Sequence, residues 1–434
     1  MIQFLKHHFH WQHGIIGLLL LVQLPYTSEA QVSLPAFVDS AMMNNAEAAS
    51  INIKLQQYDL QDQMISAILR SPKMYLSSDF LFAPYFNNNG KPVDTSPTDK
   101  AIGYDVGITN GGLYSALFNV DVPVLKGAEV THRKVQNDLA KTKLKIRLKT
   151  IRAELQQAIG VMYFDALSKQ AIVMNNLGNA ALLNQEFEVI KQLTKRGMYR
   201  ISDYKLMQLE LQTNSVTLNS SINDLNLAIR QLKAACGIQN DKIEELTSPY
   251  MEMKDPVTKT SLFVQSYRQD SLIAVANQKI FDDQYRPQIN VFANSGLNST
   301  SIPSIDRHVG LSAGLHLSYT LFDGHQKKIN EQQQMLAIDE ASTQKELKLL
   351  QVKTKVNAYS QNISKTREEL QKQREIQQKY KNLLNLYSDE LQQAQISVID
   401  YIAYLKKYSN VNLAVAQKEI KLKKLINEYN YWNH

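Results

Sequence analysis

The sequence is short of everything that breaks or cross-links a chain. Its 434 residues include 16 glycines, 11 prolines and one cysteine, Cys236. A single cysteine excludes a disulfide framework and any cysteine-based metal site. Cys236 ends the apolar stripe Leu211, Leu218, Ile222, Leu225, Ile229, Leu232, and so reads as a packed thiol. So few breakers exclude a loop-rich chain of small domains and call for long uninterrupted elements. Long hydrophobic runs are missing too. The longest, Ile15 to Leu24, is about ten residues, where a spanning helix needs about twenty. Nor is charge of one sign concentrated. The net charge of +7, from 48 Lys and Arg against 41 Asp and Glu, is spread along the chain, which argues against a nucleic-acid partner. There is no Gly-rich phosphate loop, no metal-ligand pair at helical spacing and no nucleophile motif, so no enzyme activity, cofactor or metal is expected. His132, His308, His316 and His325 stand alone and read as surface or lumen residues.

The N-terminus reads as an export signal over residues 1–30. Lys6 and four histidines precede the apolar run, and Ser28-Glu29-Ala30 offers small residues where signal peptidase cuts, before Gln31. His7, His8, His10 and His13 look like a metal cluster only if they are retained. A membrane anchor is the alternative, but the run is short for one, and no cysteine near the cleavage site offers a lipid attachment point.

What the sequence does have is length without interruption. From Gly324 to Leu391 there is no proline and no internal glycine, and apolar residues step alternately three and four places from Leu349. The stripe runs through Val352, Val356, Tyr359, Ile363, Leu370, Tyr380, Leu384, Tyr387 and Leu391, interrupted by Thr366, Gln373 and Gln377. Such a helix is roughly 100 Å long, and a sustained period of about 3.5 residues marks a coiled-coil seam. A second helix of this kind starts after Gly127, with Leu144, Leu148, Ile151, Leu155, Ala158 and Met162 at the same spacing, and breaks at Lys195 to Arg200.

The chain also repeats itself. Tyr319 to Gly324 aligns with Val122 to Gly127, and Val398 to Tyr401 aligns with Ile201 to Tyr204, both at an offset of 197. Residues 31–238 form the first repeat, 239–259 a linker and 260–434 the second. Each repeat reads as helix, two strands, long helix and returning helix. The leading helix, 34–69, and the returning helix, about 202–236, together match the long helix beside them, so two short helices stacked end to end line one long one. Four strands are expected: 73–83, 113–125, 288–297 and 308–322. The loop between the first two carries 18 more residues than its counterpart.

The last strand is the clearest. Val309, Leu311, Ala313, Leu315, Leu317, Tyr319 and Leu321 alternate with Gly310, Ser312, Gly314, His316, Ser318 and Thr320. A soluble sandwich gives the same pattern, but behind an export signal and beside helices this long it fits a transmembrane strand. Val309, Leu311, Leu315 and Leu317 then face lipid, and Ser312, His316 and Ser318 face a lumen. Four strands cannot close a membrane barrel, and an open edge in hydrocarbon costs several kcal/mol per unpaired group. Copies must therefore combine. The expected fold class is α+β: a long α-helical coiled-coil barrel plus a membrane β-barrel completed by trimerisation.

Four features together resemble the TolC family of outer-membrane channels, which serve efflux and type I secretion: the junction Tyr319 to Gly324 with its partner around Pro123, Arg286-Pro287 before the third strand, the tips ending in Asp203-Tyr204 and Asp400-Tyr401, and the matched helix lengths. The resemblance implies a homotrimer in the outer membrane with a helical tunnel projecting into the periplasm, coupled to a periplasmic adaptor and an inner-membrane pump. The sequence departs from the family pattern at Thr320, at Ala394, which stands where Gly197 stands in the first repeat, and at Ala403, where some members carry a second carboxylate.

Asp203 and Asp400 open the returning helices at equivalent places. One reading is helix capping, since Ser397 and Asp400 have a capping-box-like spacing. The other is a ring of carboxylates that gates the tunnel and binds cations; the resemblance favours Asp400 for it. Arg200, Tyr204 and Tyr401 are the candidates for contacts holding the tip shut. A periplasmic adaptor or coiled-coil scaffold is the rival reading of the whole chain, although adaptors usually have one hairpin flanked by small β domains.

Overall fold

The structure is a computed structural model and describes residues 33–434 apart from 87–89, 91, 94–101, 104–111, 241, 243–244, 257–260 and 301. The export signal, and Asn88 in the long first hairpin loop, lie outside the described residues.

The order is α1 (Leu34–Met43), α2 (Ala46–Arg70), β1 (Lys73–Phe82), β2 (Gly112–Pro123), α3 (Gly127–Lys195), α4 (Ile201–Ala235), α5 (Leu262–Asp282), β3 (Gln288–Ser299), β4 (Val309–Ser318), α6 (Gln326–Gln392) and α7 (Val398–Trp432). The repeat is visible in the lengths: α3 has 69 residues and α6 has 67, while α4 and α7 have 35 each.

Two expected elements are shorter than the pattern suggested. The leading helix splits in two because Asn45 leaves the helix and caps α2, its side chain accepting from the Ala48 amide at 2.8 Å. Asn44 meanwhile donates to the Cys236 carbonyl at 2.9 Å, and that bond ties the break to the end of α4. The last strand stops at Ser318 instead of continuing to Phe322. Ser318 pairs with Gln288, and the residue before Gln288 is Pro287, which has no N–H to extend a ladder.

The helices form four columns. The long α3 packs on α1, α2 and α4 and also on α5 and α7, whereas α6 packs mainly on α5 and α7 and touches α3 only slightly. The stacking of short helices is explicit at two joints. Besides the Asn44 bond, the Leu262 amide at the start of α5 donates to the His434 carbonyl at the end of the chain, at 2.8 Å. From Ile363 onward the heptad stripe of α6 is its packed side, where Ile363, Thr366, Leu370, Leu384 and Leu391 are buried, whereas Leu349 at the start of the stripe is exposed. Gln377, one of the breaks, donates to Asn412 on α7 at 2.6 Å.

Two apolar cores hold the columns. One, at mid-height, packs Leu34, Phe37 and Val38 of α1 against Ile159, Tyr163 and Phe164 of α3, with Leu232, Cys236 and Leu246. Burial pushes the Cys236 thiol up to about 11, so it stays protonated and inert at neutral pH. The other core lies at the far end from the strands and joins both hairpins through Leu183, Ile190, Met207, Leu384, Val398, Tyr401 and Leu405.

Candidate functional site

Antiparallel pairing in the order β1-β2-β3-β4 fixes which residues share a face. Val309 pairs with Leu297, Leu315 with Val291 and Leu317 with Ile289; Leu76 pairs with Phe118 and Phe80 with Tyr114. Because side chains alternate along each strand, these residues form one apolar face across all four strands. Nothing among the described residues covers it: Val309, Leu311, Leu315, Leu317, Leu76 and Phe80 are exposed, Leu311 by 81 %.

The other face is polar and laced. Ser115 donates to Asp79 at 2.9 Å, Asn119 to Ser77 at 2.8 Å and Ser312 to Asn294 at 2.7 Å. His316 lies opposite Asn290 and Ser318 opposite Gln288. The structure thus puts Ser312, His316 and Ser318 together on this face, and the four named apolar residues of β4 on the opposite one. Sequence alternation missed Phe292, which sits on the polar face opposite Gly314. A Cβ at Gly314 would come within 2.5 Å of the Phe292 ring, so the glycine makes room for it. The outer edges of β1 and β4 have no partner strand among the described residues.

Where the sheet meets the helices, the turn Asp323-Gly324-His325 has positive φ at both Gly324 and His325, which is why α6 begins two residues later than the repeat offset predicts. Asp323 accepts from Tyr285 Oη at 2.5 Å and from the Lys327 amide at 2.8 Å. On the other repeat, His132 of α3 is not isolated as its sequence context suggested. Its Nδ1 lies 2.8 Å from Asp283, a buried carboxylate that also meets Arg286 at 3.0 Å. Helix α3, the end of α5 and the start of β3 are joined by these three residues. His132 lies 151 positions before Asp283 in the chain, and no local pattern marks the pair.

At the far end the two turns are built alike. After α3, Gly197 takes φ 74° and the Met198 amide bonds the Leu193 carbonyl at 2.9 Å. After α6, Ala394 takes φ 55° and the Gln395 amide bonds Glu390 at 2.9 Å. Both are Schellman-type ends, but the second forces a Cβ into left-handed geometry.

The capping role of the aspartates is present. Asp400 donates its amide to Ser397 Oγ at 3.1 Å and accepts the Ser397 hydroxyl at 2.6 Å. Asp203 accepts the Arg200 amide at 3.0 Å; Arg200 has no side-chain acceptor to return the bond. Asp400 is exposed and Asp203 half-buried. Tyr204 stacks on Phe187 with ring centroids 5.2 Å apart, and Tyr401 is buried in the core joining the hairpins. Arg200 is exposed and, among the described residues, forms no salt bridge. A further link between the two turns comes from a residue that sequence reasoning missed. Tyr199 Oη lies 2.9 Å from the Leu391 carbonyl and 2.8 Å from the Ile396 carbonyl, so its one proton is shared between the end of α6 and the loop before α7.

Among the described residues no cluster of three His, Cys, Asp or Glu is arranged to hold a metal. No described helix is long and apolar enough to cross a membrane, a statement about helices that leaves the sheet untouched.

No known protein-family profile matches the chain, and no curated protein is similar in sequence. Solved structures are similar in shape. The outer-membrane protein VceC of Vibrio cholerae superposes with a TM-score of 0.64 over 92 % of this chain and 95 % of its own, at 13 % identity. The CmeC outer-membrane channel of Campylobacter jejuni gives 0.64 over 92 % and 85 %, at 12 % identity. The open state of the MtrE outer-membrane channel of Neisseria gonorrhoeae gives 0.63 over 92 % and 88 %, at 10 % identity. The chain therefore has the α+β fold of TolC-like outer-membrane channels. Two helical hairpins sharing one sheet are not the single hairpin with flanking β domains expected of an adaptor.

Proposed function

We propose that this chain is one of three identical subunits of a channel that conducts solutes from the periplasm through the outer membrane. The observation that carries the reading is the sheet. Its apolar face is continuous over four strands and uncovered, and both outer edges are open, above helices about 100 Å long. An open edge is tolerable in hydrocarbon only if another strand completes it. Three copies supply twelve strands, enough for a lumen lined by the polar face that carries Ser312, His316 and Ser318. The fold shared with known outer-membrane channels supports the same reading.

In this arrangement Val309, Leu311, Leu315 and Leu317 meet lipid, the long β1–β2 loop lies outside the cell, and the helical columns enclose a tunnel in the periplasm. Efflux or type I secretion through it needs a periplasmic adaptor and an inner-membrane pump, which set the substrate. The turns form the periplasmic mouth. Six carboxylates, Asp203 and Asp400 from each copy, stand around it and attract cations, in addition to capping their helices. Tyr199, Tyr204 and Tyr401 hold the turns together within a copy, and Arg200 is left free to reach a neighbouring copy.

The test is single-channel recording on the purified protein. Channels blocked by divalent or trivalent cations from the periplasmic side are expected, with weaker block in Asp400→Ala and higher basal conductance in Arg200→Ala. If Asp400→Ala lowers only the melting temperature, that residue is a cap and the gate lies elsewhere.

A further inference from the structure

Glu186 stands on α3 about 14 Å before the turn, where the first hairpin packs on the second. It is 2 % exposed. One carboxyl oxygen lies 2.5 Å from Ser388 Oγ of α6, and the other, Oε2, has no hydrogen-bond partner. Buried carboxylates normally meet a cation or several donors. Among the described residues this one meets no cation and, within hydrogen-bond distance, the single donor Ser388 Oγ. Lys191, five residues further along α3, pairs with Glu188 at 3.1 Å, and Lys406 of α7 pairs with Glu210 of α4 at 2.9 Å. The other groups facing Glu186 are Asp389 and Gln392 of α6 and Tyr401 of α7, while α4 presents Met207 and Tyr204 to the same core. None is a cation. The repeat supplies a comparison: at the offset of 197 the equivalent position on α6 is the half-buried Leu383, so a carboxyl at this position is not a shared feature of the two repeats.

We propose that Glu186 is a proton-operated latch between the two hairpins. In its neutral form the carboxyl and the Ser388 hydroxyl share a proton, and α3 stays packed on α6 and α7 beside the turns. Ionised, it draws water into the core and loosens that packing. Its consequence for conduction rests on the channel reading above: the periplasmic mouth closes more firmly in acid and opens more readily as the pH rises.

The electrostatics agree in sign. Burial holds the Glu186 carboxyl above the usual carboxylate range; Ser388 and Gln392 pull it down, and the charge of Asp389 adds to the rise. A carboxyl whose pKa is higher in the folded state binds more protons there. Its contribution to stability is therefore fully present below the ordinary value of about 4.3. That contribution is lost progressively as pH rises toward the folded pKa, above which the loss is complete.

The experiment compares thermal unfolding of the full-length protein in detergent between about pH 5 and pH 8.5 for wild type, Glu186→Gln and Glu186→Leu. The glutamine is a neutral isostere, and the leucine copies the second repeat. Wild type is expected to lose more melting temperature with rising pH than either variant. Ser388→Ala, which removes a donor to the charged form, is expected to move the wild-type decline to higher pH. Superimposable pH profiles for wild type and both variants overturn the latch. Bilayer recordings read the gate: each unit of pKa elevation predicts up to about a tenfold larger open-to-closed ratio at high pH, absent in Glu186→Gln. A conductance whose pH dependence is unchanged in Glu186→Gln overturns the gating role. Absence of conductance at every pH contradicts the channel reading instead, and the unfolding comparison then still decides whether Glu186 titrates as proposed.

Discussion

The two long helices are copies of one another in length and connection, yet they live in different surroundings. Helix α3 has columns on both sides and buries seventeen residues along its length, among them Ile151, Tyr163, Phe164, Ile190 and Leu193. Helix α6 buries six, all but Ala341 on its heptad stripe. Its other side is open and carries exposed Met335, Leu336, Leu347, Leu350 and Leu386. At the opposite end of the row, α2 and α4 expose Ile53, Leu60, Met64, Leu209, Val216 and Leu227. An amphipathic helix this long is not stable with one flank wet by default. In the assembly proposed above, α6 of one copy meets α2 and α4 of the next, and the row of columns is a fragment of a larger wall.

The largest expected contrast is in the core. Phe164 is fully buried, and Phe164→Ala should cost about 3–5 kcal/mol, read as a large fall in melting temperature. Its counterpart at the repeat offset is Gln361 of α6, which is exposed. Gln361→Ala should stay within about 0.5 kcal/mol of wild type in an unassembled chain. Equal effects would mean that the two helices are packed alike and the open flank is not real.

The second contrast lies across the sheet. A charge at a mid-membrane, lipid-facing position costs about 2–4 kcal/mol, so Leu315→Arg should impair assembly into membranes far more than the adjacent His316→Arg. Matching losses would reverse or abolish the assignment of faces.

Much of this was legible in the sequence because it rests on periodicity. The lengths of α3 and α6, the four strands, their two faces and the stacking of short helices all follow from spacing of apolar residues and from the offset of 197. What was not legible rests on single polar groups meeting across long separations. Asn44 and Asn45 break a helix that apolar spacing would have continued, because one caps α2 and the other bonds Cys236. Tyr199 holds the turns through backbone carbonyls, which carry no residue signature. Glu186 sits beside apolar Phe187 and one turn from Ile190, and nothing in that local pattern distinguishes a buried glutamate from a solvated one. The aspartates at the tip show the other limit: their caps were readable, whereas the ring proposed for them is a property of several copies and not of one chain.

A smaller contrast separates the two turns. Gly197 adopts left-handed geometry freely, and Ala394 does so against its Cβ. Replacing a residue in that geometry by glycine relieves roughly 1–2 kcal/mol of strain, less the entropy that glycine loses on folding. Ala394→Gly should therefore raise the melting temperature slightly, and Gly197→Ala should lower it. The smallest effect concerns the caps: Ser397→Ala should cost about 1 kcal/mol, measured by the same unfolding curves, whereas Arg200→Ala should cost nothing measurable there, since Arg200 offers α4 no side-chain acceptor.

The open flank of α6 and the open edges of the sheet make one claim, that this chain is completed by copies of itself. The direct measurement is the mass of the detergent-solubilised, lipid-corrected particle, with Leu350→Asp on the open side of α6 as its partner variant. Three copies are predicted for wild type, with loss of that assembly in the variant while its helical content is kept. A stable wild-type monomer would contradict the account.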